Sequence, residues 1–321
     1  MISNCSDSSS FRLNLNTHGR GLALTTAASL LWGTVYISIG VGLRYLGPYN
    51  LLFMRFMIAS IAIVLMSIPF GKRLGLIHEI KKPINWMLGF VYFLGFVFQY
   101  VGQNLTDASD TTLISNLAPM LAPVVAFLVL KEKLGKNQGV ALGLGLVGLF
   151  LIAGPRFSTN EASVIGDTLL FFTSVSYAFF IILGKKYNSG GLGSSFAMII
   201  AMTLFSVPFA INNGFNFAKL GFNLLGWAAI FWMALPCGVL AISLYLMGLE
   251  QVSVSETSVL LLLQVITGLI LAAILLGEKT SLYEIGGAVA ISIAVLFAAF
   301  SIDSRGLKED SSIGTVKVHP K

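Results

Sequence analysis

Charge is scarce in this chain. Only 11% of its 321 residues are charged and 56% are hydrophobic, where a soluble domain carries about 25% charged residues. A water-soluble core cannot hide that much apolar surface, but a bilayer can. The mean hydropathy of +0.85 agrees. Cysteine is nearly missing as well, with Cys5 in the polar N-terminal stretch and Cys237 in an apolar run. Two such residues build neither a disulfide framework nor a metal–thiolate site. Histidine is absent from every apolar run, because His18, His78 and His319 all lie outside them. A membrane-embedded metalloenzyme or His-based hydrolase therefore has no ligand or base at depth, and no metal or cofactor is expected. Long polar segments are missing too, so no connection can hold a soluble domain.

What is present is a series of ten apolar runs: 21–43, 48–70, 85–104, 111–130, 138–154, 165–184, 195–212, 226–249, 257–276 and 283–300. A membrane helix needs about 20 mostly apolar residues. Backbone groups must pair internally inside lipid, so such runs are helices, and none alternates like a barrel strand. Turn residues punctuate the runs, as at Gly47-Pro48, Gly154-Pro155 and Gly190-Gly191. The expected fold is an all-α integral membrane protein of ten transmembrane helices.

The net charge of +6 does not point to nucleic acid, because the basic residues sit in short loops between runs. Fifteen Lys and Arg fall on the side of the N-terminus and four, Arg44, Arg156, Lys219 and Lys279, on the other. The positive-inside rule then places both termini in the cytoplasm, in a multi-pass protein of the cell membrane. The first 20 residues lack a cleavable signal pattern, and the first run is expected to act as an uncleaved anchor.

An internal repeat is visible. Asp110-Thr111-Thr112 through Lys131-Glu132-Lys133 matches Glu256-Thr257-Ser258 through Gly277-Glu278-Lys279 at a shift of 146 residues. At a shift of 145, Leu31-Trp32-Gly33 falls on Ser176-Tyr177-Ala178. The first run pairs with the sixth and the fourth with the ninth. The expected organisation is a cytoplasmic tail (1–20), one repeat of five helices (21–154), a second (165–301) and a C-terminal tail (302–321). An odd number of helices per unit places the two copies in opposite orientations, the architecture of many secondary transporters.

These features resemble the drug/metabolite transporter superfamily, in particular its EamA-type members. The residues that carry the resemblance are Leu31-Trp32-Gly33-Thr34, Arg55-Phe56, Ala118-Pro119, Leu130-Lys131-Glu132-Lys133-Leu134, Gly166-Asp167 and Leu276-Gly277-Glu278-Lys279, in that order. Tyr177 stands where the family usually has Trp, and Val265 where Pro119 would repeat. The resemblance implies gradient-coupled movement or exchange of amino acids, other small metabolites or toxic amphiphiles. It also implies a bracing or gating role for Arg55.

Arg55 is the sharpest single residue, roughly 10 Å along its helix from Pro48. A charge at that depth faces a cavity or a partner. Its two readings are an anchor for an anion, or a brace and latch that bonds carbonyls or Asp110. Trp32 and Tyr36, with Thr25 and Ser29, form one helix face, and Tyr177 with Thr173 and Phe180 forms another. With Arg55, Asn116 and Gln264 these aromatic residues are the candidates for a substrate cavity. Plain helix packing is the alternative for the small residues among them. Two polar hairpins are gate candidates: Gln99, Gln103 and Asp110 on one side, and Tyr245, Glu250 and Glu256 on the other. Pro119 and Pro123 are hinge candidates, because proline frees carbonyls. Asp167 reads as the acid that opens the sixth helix, and Glu132 and Glu278 as caps. No carboxylate lies in mid-membrane, so no proton carrier is apparent.

The expected partners are a small-molecule substrate and the lipid bilayer, not nucleic acid, and a homodimer is left open. The reading is a carrier that works by alternating access. An intramembrane lipid-modifying enzyme or a channel-like facilitator is the alternative, although no cluster of catalytic residues appears.

Overall fold

The computed structural model describes residues 7–106, 111, 114–131, 135–153, 161–187, 191–215, 218–276, 282–283 and 285–297. Asp110, Glu132, Glu278 and the 302–321 tail lie outside them. Among the described residues the chain is all helical, and a helix occupies each of the ten apolar runs. The helices are α1 (Asp7–Gly33), α2 (Val35–Leu43), α3 (Pro48–Leu74), α4 (Leu76–Ile80), α5 (Pro83–Leu105), α6 (Ala118–Val129) and α7 (Lys136–Ala153). They continue with α8 (Glu161–Tyr187), α9 (Leu192–Asn212), α10 (Leu224–Ala234), a π-helical turn (Leu235–Leu240), α11 (Ala241–Leu249), α12 (Val254–Leu261), α13 (Leu263–Leu276) and α14 (Ile285–Phe297).

Seven helical stretches are long and apolar enough to cross a membrane, and Ala118–Val129, Lys136–Leu151 and Ile285–Phe297 are shorter apolar helices. α1 begins inside the stretch read as a tail, since no proline interrupts the chain between Asp7 and Gly33. Large apolar side chains such as Ile68, Leu65, Val124, Leu128, Phe150 and Ile274 stand exposed around the outside. An apolar exterior on this scale fits contact with lipid.

The main interfaces do not follow chain order. α5 packs most extensively on α8, α1 on α11, α3 on α9, and α6 on α8 and α12. Each of these pairs one helix from before residue 154 with one from after 160. Small residues permit the closest crossings, since without a hydrophobic drive between helices it is shape and hydrogen bonding that select partners. Gly33 rests on Gln264 and Thr267, and Gly102 on Gly166. Asp167 does not open its helix, because α8 starts at Glu161. Its carboxylate instead accepts a 2.9 Å bond from the Thr106 hydroxyl, tying α8 to the end of α5.

Candidate functional site

A cavity lies where these cross-packed helices meet. Trp32 comes from α1, Tyr36 from α2, Arg55 from α3, and Tyr92, Phe96 and Gln99 from α5. Pro119 belongs to α6, Tyr177 and Phe180 to α8, Tyr245 to α11 and Gln264 to α13. The free space is about 60 Å³, room for a handful of waters at about 10–15 Å³ each. The walls are aromatic. Tyr92 stacks on Phe180 with ring centres 4.0 Å apart, and Tyr177 lies edge-on to Tyr92 at 5.1 Å. Trp32 tilts against Tyr245 at 5.1 Å.

Polar side chains on these walls are held by specific bonds. The Tyr177 hydroxyl donates to the Gln99 amide oxygen at 2.7 Å. The Asn116 amide donates to the Tyr36 hydroxyl at 3.2 Å and its oxygen accepts from Gln264 at 2.6 Å. Gln103 donates to the Tyr36 carbonyl at 3.2 Å. Arg55 is 1% exposed and, among the described residues, bonds no carbonyl. Its Nη1 donates to the Tyr100 hydroxyl at 2.9 Å, and its plane lies 4.5 Å from the Phe96 ring centre, a cation–π contact.

Five of the six residues read from the sequence as cavity candidates line this space, namely Trp32, Tyr36, Arg55, Tyr177 and Gln264. Asn116 stands behind the wall as the link between Tyr36 and Gln264. Gln99 and Tyr245, expected at gates, also face the cavity. Tyr92 and Phe96, which were not among the residues expected here, complete the wall from α5 and share a face with Tyr100 at a spacing of four. Pro119 sits in the first turn of α6, after a break at Asn116-Leu117. A missing N–H costs little there. Pro123 is inside the helix and buried.

A second pair of irregularities was not read from the sequence at all. α1 breaks at Thr34, and opposite it Pro236 is the second residue of the π-helical turn. Proline cannot donate and π turns are rare, often falling at functional positions. The Cys237 carbonyl in that turn accepts the Trp32 indole at 3.0 Å, and the Trp232 indole donates to the Thr34 hydroxyl at 2.7 Å. The signal was Leu235-Pro236-Cys237-Gly238 in the eighth run.

At the end of the bundle that carries His18, the turn 250–253 is fastened from several sides. Lys185 of α8 donates to the carbonyls of Leu249, Glu250 and Val252 at 2.8, 3.3 and 2.6 Å. Glu256 caps α12, accepting the Ser253 N–H at 2.9 Å, and lies 3.9 Å from the His18 ring. Partial burial raises the Glu250 carboxyl above its ordinary value, against the opposing pull of Lys185. Lys185→Met should therefore loosen this turn. Bonds to a charged donor are worth roughly 1.5–3 kcal/mol each. Hydrogen exchange at 249–256 should rise in the variant while the α5–α8 core stays protected. Unchanged exchange there would remove Lys185 from the fastening.

Comparison with known proteins matches a family model described as the EamA-like transporter family over residues 19–154 and again over 164–300. The chain belongs to the EamA-like transporter family. Its relatives within that family include an uncharacterized transporter of Archaeoglobus fulgidus, 26% identical over 89% of this chain and 99% of the relative. The uncharacterized transporter YyaM of Bacillus subtilis is 25% identical over 89% of this chain and 96% of its own length. An S-adenosylmethionine uptake transporter of Rickettsia prowazekii is 21% identical over 80% and 86%. A solved crystal structure shares the fold with a TM-score of 0.74 at 16% identity, over 87% of this chain and 96% of the other. This EamA-like chain is a multi-pass membrane protein.

Proposed function

We propose that this protein is a secondary transporter that carries a small metabolite across the cytoplasmic membrane by alternating access. The observation that carries the reading is the aromatic cavity shared by helices of both family-matched stretches. The ten helical runs form two five-helix units of opposite orientation, at 21–154 and 165–301. Their interfaces support this, because they pair off when the first run is exchanged with the sixth and each later run likewise. α5 on α8 then corresponds to α11 on α1, and α6 on α8 to α13 on α1. A symmetric pair of packings is what a rocking carrier needs.

In this reading Trp32, Tyr36, Tyr177 and Gln264 bound the substrate. The fastened turn at Glu250 and Glu256 is the closed cytoplasmic gate, and Gln99 and Gln103 mark the opposite one. The Thr34 break and the Pro236 turn supply a hinge beside Pro119 and Pro123. A channel-like facilitator is less favoured, because a channel has no need of packings that exchange between two inverted units.

Purified protein in liposomes should show trans-stimulated counterflow of at least one solute from a panel of amino acids, small carboxylates and S-adenosylmethionine, the last chosen from the name of the Rickettsia relative. Flux of the same solute seen as single-channel current, without trans-stimulation, would reject the carrier.

A further inference from the structure

The unpartnered groups around the cavity share one chemistry. Among the described residues Nε and Nη2 of Arg55 have no hydrogen-bond partner, although the side chain is 1% exposed. Among those residues the hydroxyls of Ser115 and Tyr245, which are 3% and 1% exposed, have none either. All three residues line the same space. Guanidinium nitrogens only donate, and hydroxyls can donate. Of the neighbouring amides, the Gln99 oxygen is taken by Tyr177 and the Gln264 nitrogen by Asn116. Among the described residues no carboxylate lines the cavity, and Arg55 is the one cation that does. A buried charge with open donors and no counterion is costly unless something negative completes it.

We propose that Arg55, with Ser115 and Tyr245, receives the anionic group of the transported solute, and that this solute is a monocarboxylate with a compact apolar or planar body. This rests on the carrier reading above. One guanidinium matches one carboxylate in charge and fork geometry. A phosphate dianion would bring a second charge with nothing to balance it. The body then lies against Trp32, Tyr92, Tyr177 and Phe180. The present free space is too narrow for the whole solute, so the cavity widens as the carrier opens.

The test is calorimetric titration of the purified full chain in detergent with 3-phenylpropionate and 4-methylpentanoate, each against its own amide. At least one acid should bind about tenfold or more tighter than its amide, the scale of a charge-assisted pair. Arg55→Gln should reduce that preference to about twofold or less. Arg55→Lys keeps the charge and should retain part of it, which separates lost charge from lost folding. The comparison of acid with amide in the parent protein needs no variant. Equal affinity for acid and amide, no measurable affinity for any acid, or a preference that survives Arg55→Gln overturns the proposal. Counterflow distinguishes this failure from failure of the carrier reading. Solutes that exchange equally well in parent and Arg55→Gln leave a carrier without this site, whereas acid-selective binding without any exchange leaves the site and removes the carrier.

Discussion

Leucine at Gly102 is expected to leave little well-folded protein. A Cβ at Gly102 would lie 2.9 Å from the Gly166 carbonyl oxygen, and one at Gly166 would lie 3.0 Å from the Gly102 oxygen. On each side one of the nearest obstacles is a backbone oxygen, which cannot rotate away, and Leu170 Cγ at 2.9 Å crowds Gly102 as well. The contact sits in the α5–α8 interface, beside the Thr106–Asp167 bond, and larger side chains would have to part both helices. Overpacking ordinarily costs roughly 1–3 kcal/mol, and here the upper end applies. In detergent, Gly102→Leu should aggregate on size exclusion or melt about 5–10 °C below the parent. Gly143→Leu is the control, because a Cβ at exposed Gly143 meets nothing within 4 Å. If both variants elute and melt like the parent, the close glycine crossing is not what limits this interface.

Transport should suffer most from Asn116→Leu. Asn116 joins Tyr36 of α2 to Gln264 of α13, and therefore joins the two family-matched stretches across the cavity wall. Leucine keeps the bulk and removes both bonds. The Tyr36 hydroxyl and the Gln264 amide are then left to find other partners, at roughly 1–3 kcal/mol for a buried group that finds none. Counterflow should fall at least about tenfold, the equivalent of 1.36 kcal/mol on the barrier. Size exclusion should still report a folded protein. In a double-mutant cycle on thermal stability, Asn116→Leu and Gln264→Leu should couple by about 1 kcal/mol. Strict additivity, together with exchange within about twofold of the parent, would make the link incidental.

Several parts of the site were legible because polar or bulky residues interrupt apolar runs at helical spacing. Trp32 and Tyr36 share a face by period, Arg55 is conspicuous by its depth, and Asn116 and Gln264 are polar where lipid would reject them. Tyr92 and Phe96 were not legible. In the run Phe90, Tyr92, Phe93, Phe96, Phe98, each face of the helix carries an aromatic, so periodicity singles out none. Structure separates them, with Phe90 exposed at 45% and Tyr92 and Phe96 buried at 6% and 4%. The break at Thr34 was hidden for a different reason. No residue there forbids a helix, and the break makes sense only beside the Pro236 turn that meets it 200 residues later. The partner of Arg55 was not legible either: among the described residues its guanidinium donates to the Tyr100 hydroxyl, which spacing alone did not single out, and Asp110 lies outside them.

The sequence by itself determined that the chain is helical and built for lipid, because a bilayer leaves the backbone no other way to pair its N–H and C=O groups. It also carried the repeat of 146 residues and the fifteen-to-four charge bias. Only the tertiary structure decided which helices are neighbours. Apolar side chains on every face make lipid and protein equally good company, so hydrophobicity cannot choose between them. The choice falls to backbone approach at Gly102 and Gly166, and to bonds such as Asn116–Gln264. Those contacts bring the two halves together around Arg55.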